Sequence, residues 1–99
     1  MDIRIAKAAR REFDDAYFRY ELDRTGLGRE FRGEVTRTFR EIAGHPLRWP
    51  IILEDVRRCL PKRFPYAIFY QSRKSYVYII AIMHTSRSPG YWGRRATKK

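Results

Sequence analysis

The chain has 99 residues, the size of one small domain and too short for two. Hydrophobic residues make up 43% of it and aromatic residues 15%, so a packed core is expected and an intrinsically disordered chain is excluded. The formal net charge of +11 predicts an anionic partner, either a nucleic acid or an acidic protein. Most of this excess lies in residues 51–99, where 11 Lys/Arg stand against only Glu54 and Asp55.

The sequence contains no signal for export, membrane insertion or metal binding. No apolar stretch is long enough to span a bilayer, and the N-terminal residues are charged throughout, unlike a secretory signal. Cys59 is the single cysteine, which excludes an internal disulfide, and His45 and His84 are the only histidines. We therefore expect a cytoplasmic protein without a metal site or other cofactor.

The first half of the chain predicts a short strand followed by two helices. Ile3 and Ile5 alternate with charged residues, which indicates a strand over residues 2–5. From Lys7 to Leu22 apolar residues recur at steps of three and four, the pattern of an amphipathic helix. Residues 24–28 contain two glycines and predict a tight connection, after which the helical stripe resumes in Phe31, Val35, Phe39 and Ile42.

Gly44 and Pro46 end the second predicted helix, and the short connection predicts that the two helices pack as an antiparallel hairpin. Their outer faces carry opposite charges spaced four residues apart, which predicts weak ion pairs on a soluble surface: Arg10/Asp14, Arg11/Asp15 and Arg37/Glu41.

The second half of the chain is rich in short β-type segments. Three strands are predicted, at Val56–Leu60, Tyr66–Gln71 and Tyr76–His84. The third is almost continuously apolar, which is typical of a central strand covered on both faces. We therefore predict a single α+β domain over residues 1–99, with an N-terminal strand and an antiparallel helical hairpin packed on a mostly antiparallel sheet of three to four strands. Residues from about 94 to 99 are predicted to form a mobile basic tail.

Several short strings, taken in order, resemble the RelE/ParE toxin superfamily, whose members are also described as plasmid-stabilisation proteins. The resemblance covers nearly the whole chain and rests on the following strings: Tyr20-Glu21, Gly26-Leu27-Gly28, Arg29-Glu30-Phe31, Pro46 to Pro50, Val56-Arg57-Arg58, Arg63-Phe64-Pro65-Tyr66 with Tyr70 after it, and His84-x-x-Arg87-x-Pro89-x-Tyr91-Trp92.

This resemblance implies a toxin of a bacterial type II toxin–antitoxin system that inhibits growth. Such a toxin is neutralised in a hetero-oligomeric complex by an antitoxin, usually encoded beside it, whose C-terminal segment wraps over the toxin. RelE-like members cleave ribosome-bound mRNA without a metal, whereas ParE-like members inhibit DNA gyrase. The resemblance leaves both targets open.

RNA cleavage without a metal requires groups that move protons and fixed cations that stabilise the developing phosphorane charge. The candidate catalytic residues are His84, Arg87 and Tyr91, since RelE-like nucleases keep an arginine and a tyrosine after the last strand. In this interpretation Arg87 stabilises the scissile phosphate and Tyr91 or His84 moves a proton. A structural role is the alternative for each of them. Residues 51–60 contain no lysine, where RelE-like nucleases commonly have them.

The candidate target-binding residues are basic and lie in the second half of the chain: Arg57, Arg58, Lys62, Arg63, Arg73, Lys74, Arg94 and Arg95. Arg57 and Arg58 are expected to point to opposite faces of their strand. Cys59 is interpreted as a small buried hydrophobic residue. Two other functions remain open, a non-toxic basic nucleic-acid-binding module and an inactive relic of a toxin.

Overall fold

A computed structural model of the protein describes residues 1–87 and 95–96. Within them, two helices pack on one face of a five-stranded sheet. The helices are α1 (Lys7–Asp23) and α2 (Leu27–Gly44). The strands are β1 (Asp2–Ile5), β2 (Ile51–Leu53), β3 (Val56–Cys59), β4 (Tyr66–Ser72) and β5 (Tyr76–His84).

The predicted α+β fold is confirmed, with one strand more than predicted. The extra strand is β2, which lies in the segment that the sequence indicated as a linker. It has only three residues and pairs with β3 alone, through an irregular register. A strand of three residues is too short to show an alternating pattern in the sequence. It forms because its backbone pairs with β3.

The sheet has the order β1-β5-β4-β3-β2 and is antiparallel except for the β1–β5 pair. The parallel pair follows from topology, because the helical hairpin returns the chain to the end of the sheet at which β1 began. β1 stops at Ile5, opposite Ile79, whereas β5 continues to His84. Among the described residues, the last part of β5 is therefore without a neighbouring strand on one side.

The main core lies between the helices and the sheet, and it is aromatic at its centre. The fully buried ring of Phe31 on α2 stacks on Phe13 of α1 with 5.5 Å between ring centroids. Tyr20, Phe64 and Tyr66 pack around it at centroid distances of 5.2 to 5.3 Å. The helical stripes that predicted the hairpin are thus the faces that bury apolar area against the sheet.

A second apolar cluster covers the opposite face of the sheet. Its buried members are Val56, Ala67, Phe69, Ile80, Ala81 and Met83, and Ala96 packs against them. Residues 79–82 of β5 are at most 1% exposed. The prediction that the last strand is central and covered on both faces is confirmed.

Glu21 and Gly28 fix the tight connection between the helices. Gly26 has a φ of +93°, and its N–H donates to the carboxylate of Glu21 at 3.2 Å. The same carboxylate accepts hydrogen bonds from the N–H groups of Gly28 at 2.8 Å and Arg29 at 3.3 Å. Glu21 thereby satisfies backbone donors that the first turn of α2 leaves unpaired.

The predicted ion pairs on the helix surfaces do not form within residues 1–87 and 95–96. Arg37 pairs with Glu34, three residues before it, at 3.0 Å, and Glu41 lies 3.9 Å from Arg48 in the following loop. Glu34 is drawn inward because it also accepts backbone hydrogen bonds from the loop after β3. None of the helices in the described residues is long and apolar enough to cross a membrane.

Candidate target-binding surface

His84 and Arg87 come together at the end of β5. The backbone N–H of Arg87 donates to the carbonyl oxygen of His84 at 3.0 Å. Both residues line two neighbouring grooves, one on each face of the sheet. Tyr91, the third candidate catalytic residue, lies outside the described residues.

The His84 ring is held on one side by the turn that follows β5. Its Nδ1 accepts the N–H of Ser86 at 3.1 Å and lies 2.8 Å from the Ser86 hydroxyl. Nδ1 is therefore an acceptor, and in the neutral ring the proton is on Nε2. The ring also meets Tyr66 edge-on, with 5.3 Å between centroids. Burial raises the pKa of Tyr66, so its phenol stays protonated at neutral pH and does not serve as a base.

The groove on the face of the sheet away from the helices, here called the sheet groove, has a volume of about 240 Å³. Its apolar lining comes from Leu60, Ala67, Phe69 and Met83, and two arginines, Arg58 and Arg87, join them. Sequence reasoning did not single out these apolar residues as part of a site. The nearly continuous apolar run of β4 was the available signal, because it requires apolar side chains on both faces of the sheet.

Arg57 and Arg58 lie on opposite faces of β3, as predicted. Arg58 is exposed and stands opposite Phe69, so it reaches the sheet groove. The Nη1 of Arg57 instead donates to the carbonyl oxygens of Leu47 at 3.1 Å and Trp49 at 2.7 Å. Arg57 therefore holds the segment before β2 against the sheet, whereas Arg58 is exposed at the sheet groove.

Lys62 and Arg63 lie in the loop between β3 and β4, beside α2. Their backbone N–H groups donate to one carboxylate oxygen of the buried Glu34, at 3.0 and 3.2 Å. The guanidinium of Arg63 also pairs with Glu30 at 2.7 Å. These two residues line a separate groove against α2, not the grooves that His84 lines.

The remaining basic candidates are spread around the domain. Arg73 pairs with Asp55 at 2.7 Å, and Lys74 is exposed in the turn between β4 and β5. Hydrogen bonds from Gln71 and then Arg73 lower the pKa of Asp55 below its usual value. Arg95 pairs with Glu12 of α1, and Arg94 lies outside the described residues. Of the predicted mobile tail, Arg95 and Ala96 are described, and both contact the folded domain.

The structure thus gathers three of the predicted residues, Arg58, His84 and Arg87, around one apolar groove. Arg57, Arg73 and Arg95 lie elsewhere and are engaged in contacts that stabilise the fold. An apolar groove beside two arginines suits a protein surface that offers an apolar side chain and carboxylates. No cluster of metal-binding side chains is present in the part of the chain that the structure describes.

Comparison with known proteins identifies the family to which the chain belongs. The model of the family described as "ParE toxin of type II toxin-antitoxin system, parDE" matches residues 3–89. A solved structure described as "Chromosomal ParDE TA system from P. aeruginosa" shares the fold with a TM-score of 0.66 and 16% sequence identity. That alignment covers 85% of this chain and 95% of the other. No curated protein matches the sequence. Because the family model spans most of its length, the chain belongs to the ParE toxin family of type II toxin–antitoxin systems.

Proposed function

We propose that this toxin inhibits growth by binding DNA gyrase through the sheet groove, without cleaving RNA. The observation that carries the proposal is the division of the basic residues. Arg57, Arg73 and Arg95 are engaged in structural hydrogen bonds, and Lys62 and Arg63 line a different groove from His84. A phosphodiester-cleaving site needs several cations and two proton-transfer groups around one phosphate.

The composition of the sheet groove supports a protein target. Arginine, methionine and aromatic residues are enriched at the centres of protein interfaces, and Phe69 and Met83 lie in the groove beside Arg58 and Arg87. A partner with one apolar side chain flanked by carboxylates would fill the groove and meet both guanidinium groups. Membership of the ParE family favours gyrase, because ParE-like toxins are the superfamily members that inhibit it.

Cleavage of ribosome-bound mRNA is a second candidate, favoured by the proximity of His84 and Arg87. In that case the Nε2 of His84 would move a proton and Arg87 would stabilise the phosphorane. Both functions would use the same surface. Gyrase inhibition would leave relaxed or broken plasmid DNA, whereas RNA cleavage would leave new mRNA ends.

The natural partner of a toxin of this family is an antitoxin, and we propose a hetero-oligomeric complex in the cytoplasm. The excess positive charge of the chain favours an acidic binding segment in that antitoxin. Plasmid stabilisation is the biological role expected of such a pair.

The proposal is tested by inducing this chain alone in a bacterial host while following growth, plasmid supercoiling and mRNA ends in the same cultures. Growth arrest with relaxed or broken plasmid DNA and intact mRNA is expected. The charge-reversing variant Arg58→Glu should relieve the arrest, whereas Arg11→Glu, on the exposed surface of α1, should not. Arrest with new mRNA ends inside coding regions would favour the nuclease, and normal growth with soluble protein would refute an active toxin in that host.

A further inference from the structure

The outer face of α2 carries arginines that have no role so far. Arg29, Arg32 and Arg40 are spaced so that they project on one side of the helix, and all three are exposed. The residues between them on this side are small, Gly33 and Thr36, and both are exposed as well. We call the three arginines the arginine stripe.

The acidic residues of α2 lie on a different side of the helix. Glu34 and Glu41 line the groove beside Lys62 and Arg63, and Glu30 pairs with the Arg63 guanidinium at 2.7 Å. These glutamates therefore compensate positive charge in and around the loop between β3 and β4. They are turned away from the arginine stripe.

The arginine stripe is not neutralised by the protein itself. Within residues 1–87 and 95–96, no carboxylate oxygen lies within 4.0 Å of the guanidinium nitrogens of its three members. Arg32 lies over the Tyr17 ring, at 5.5 Å from its centroid, and this contact leaves its charge in place. Arg29 meets Glu21 through its backbone N–H at 3.3 Å. The stripe thus presents uncompensated positive charge to the solvent.

The shape of this face selects among anionic partners. Protein interfaces have an apolar or aromatic centre, and single-stranded nucleic acids are held by stacking of their bases on aromatic side chains. Among the described residues, none of the exposed large hydrophobic side chains lies on α2, and the centre of the stripe has only Gly33 and Thr36. A duplex backbone requires no such platform, because arginine and hydroxyl groups bind phosphates directly.

We propose that the arginine stripe binds the phosphate backbone of duplex DNA without reading its sequence. The rise along α2 from Arg29 to Arg40 is about 16 Å, which corresponds to roughly five base pairs of the duplex. Each arginine would pair with a phosphate, and the Thr36 hydroxyl would donate to another. No atom lies within 4 Å of the position that a Cβ would take at Gly33, so the space beside the helix backbone is open to the DNA.

The arginine stripe and the sheet groove lie on opposite sides of the domain. The helices pack on one face of the sheet, and the sheet groove lies on the other. The toxin can therefore contact a protein target and DNA at the same time, and with gyrase as the target the DNA is the duplex that the enzyme holds. This inference goes beyond the proposed function and does not require it, since DNA binding is measurable without gyrase.

The test is binding of the whole toxin to a fluorescently labelled short DNA duplex, followed by fluorescence anisotropy at several salt concentrations. The test variant is Arg32→Gln/Arg40→Gln, and the matched control is Arg11→Gln/Arg19→Gln at exposed positions of α1. Both remove two charges at the same spacing along a helix, and glutamine keeps a helix propensity close to that of arginine. Circular dichroism and urea unfolding establish that each variant is folded.

Loss of two phosphate contacts should weaken binding roughly tenfold or more at about 0.1 M salt and reduce the slope of log K against log salt concentration by about 1.8. The control should keep the wild-type slope. An unchanged affinity and slope in the test variant would overturn the inference. An equal loss in the control would do so too, because it indicates nonspecific attraction by the net charge of +11. Tighter binding to the single strand of the same sequence would exclude a duplex site.

A failure of this inference is distinguishable from a failure of the proposed function, because the DNA titration contains no gyrase. If the wild type does not inhibit purified gyrase, the proposed function fails. The comparison of salt slopes still decides whether the arginine stripe binds DNA.

Discussion

The carboxylate of Glu12 and the guanidinium of Arg95 form a two-bonded ion pair, at 2.9 and 3.2 Å, beside the last part of β5. Glu12 also accepts the N–H of Ile82 at 3.1 Å, and Arg95 donates to the carbonyl oxygen of Ile80 at 3.2 Å. Because β1 has already ended, these two side chains hydrogen-bond backbone groups of β5 that no strand pairs with on this side within the described residues. They also tether Arg95 to α1.

Removing this pair should destabilise the fold. Arg95→Ala leaves Glu12 without its cation at a site where both side chains are 19% exposed, so we expect a loss of about 1–3 kcal/mol in the free energy of unfolding. Urea unfolding measures it, and Arg11→Ala on the exposed face of α1 is the control. A double-mutant cycle with Glu12→Gln should show coupling between the two residues. Additive losses would contradict the assignment.

Two glycines of α2 should respond oppositely to alanine. A Cβ at Gly28 would lie 2.6 Å from the Tyr17 carbonyl oxygen and 2.6 Å from the Glu21 Cγ, so Gly28→Ala should cost about 1–3 kcal/mol. Nothing lies within 4 Å of a Cβ at Gly33, so Gly33→Ala should stabilise the helix by roughly 0.5–1 kcal/mol. Thermal unfolding of both variants checks the opposite signs. Equal shifts in Tm would show that α1 and α2 do not approach so closely.

Stability should fall in acid in part through Glu21. The hydrogen bond from the Gly26 N–H, followed by those from Arg29 and Gly28, lowers the pKa of Glu21. A depressed folded-state pKa gives stability that is present above the unfolded value, near 4.3, and is lost as the pH falls through the folded value. Glu21→Gln should therefore flatten the dependence of stability on pH below about 5. An unchanged slope in urea titrations at several pH values would argue against this capping role.

Cys59 should be unreactive in the folded protein. It is 3% exposed, and burial raises its pKa to about 12, so almost no thiolate is present at neutral pH. A thiol reagent should modify it only on unfolding, at a rate that follows denaturant concentration. Fast modification in native buffer would place Cys59 outside the core.

The sequence was sufficient for the helical hairpin and for four of the five strands, because residues buried at regular spacing are apolar. The apolar stripe through Phe31 and Phe39 and the apolar run of β5 are examples. The β2 strand was missed, since a three-residue edge strand depends on its neighbour for pairing. Tertiary contacts also decide which arginines hold the fold together and which line the sheet groove. Arg57 and Arg58 are adjacent and chemically identical. They differ because successive side chains of a strand face opposite sides of the sheet, so that Arg57 meets the carbonyl groups of the segment before β2 and Arg58 lines the sheet groove.

The most direct measurement is inhibition of purified DNA gyrase by the purified toxin in a DNA supercoiling assay. The wild type should block supercoiling or trap cleaved DNA, Arg58→Glu should require at least roughly tenfold more protein, and Arg11→Glu should behave as the wild type. Supercoiling that continues unchanged at saturating toxin, together with cutting of mRNA on translating ribosomes by the same preparation, would contradict the account.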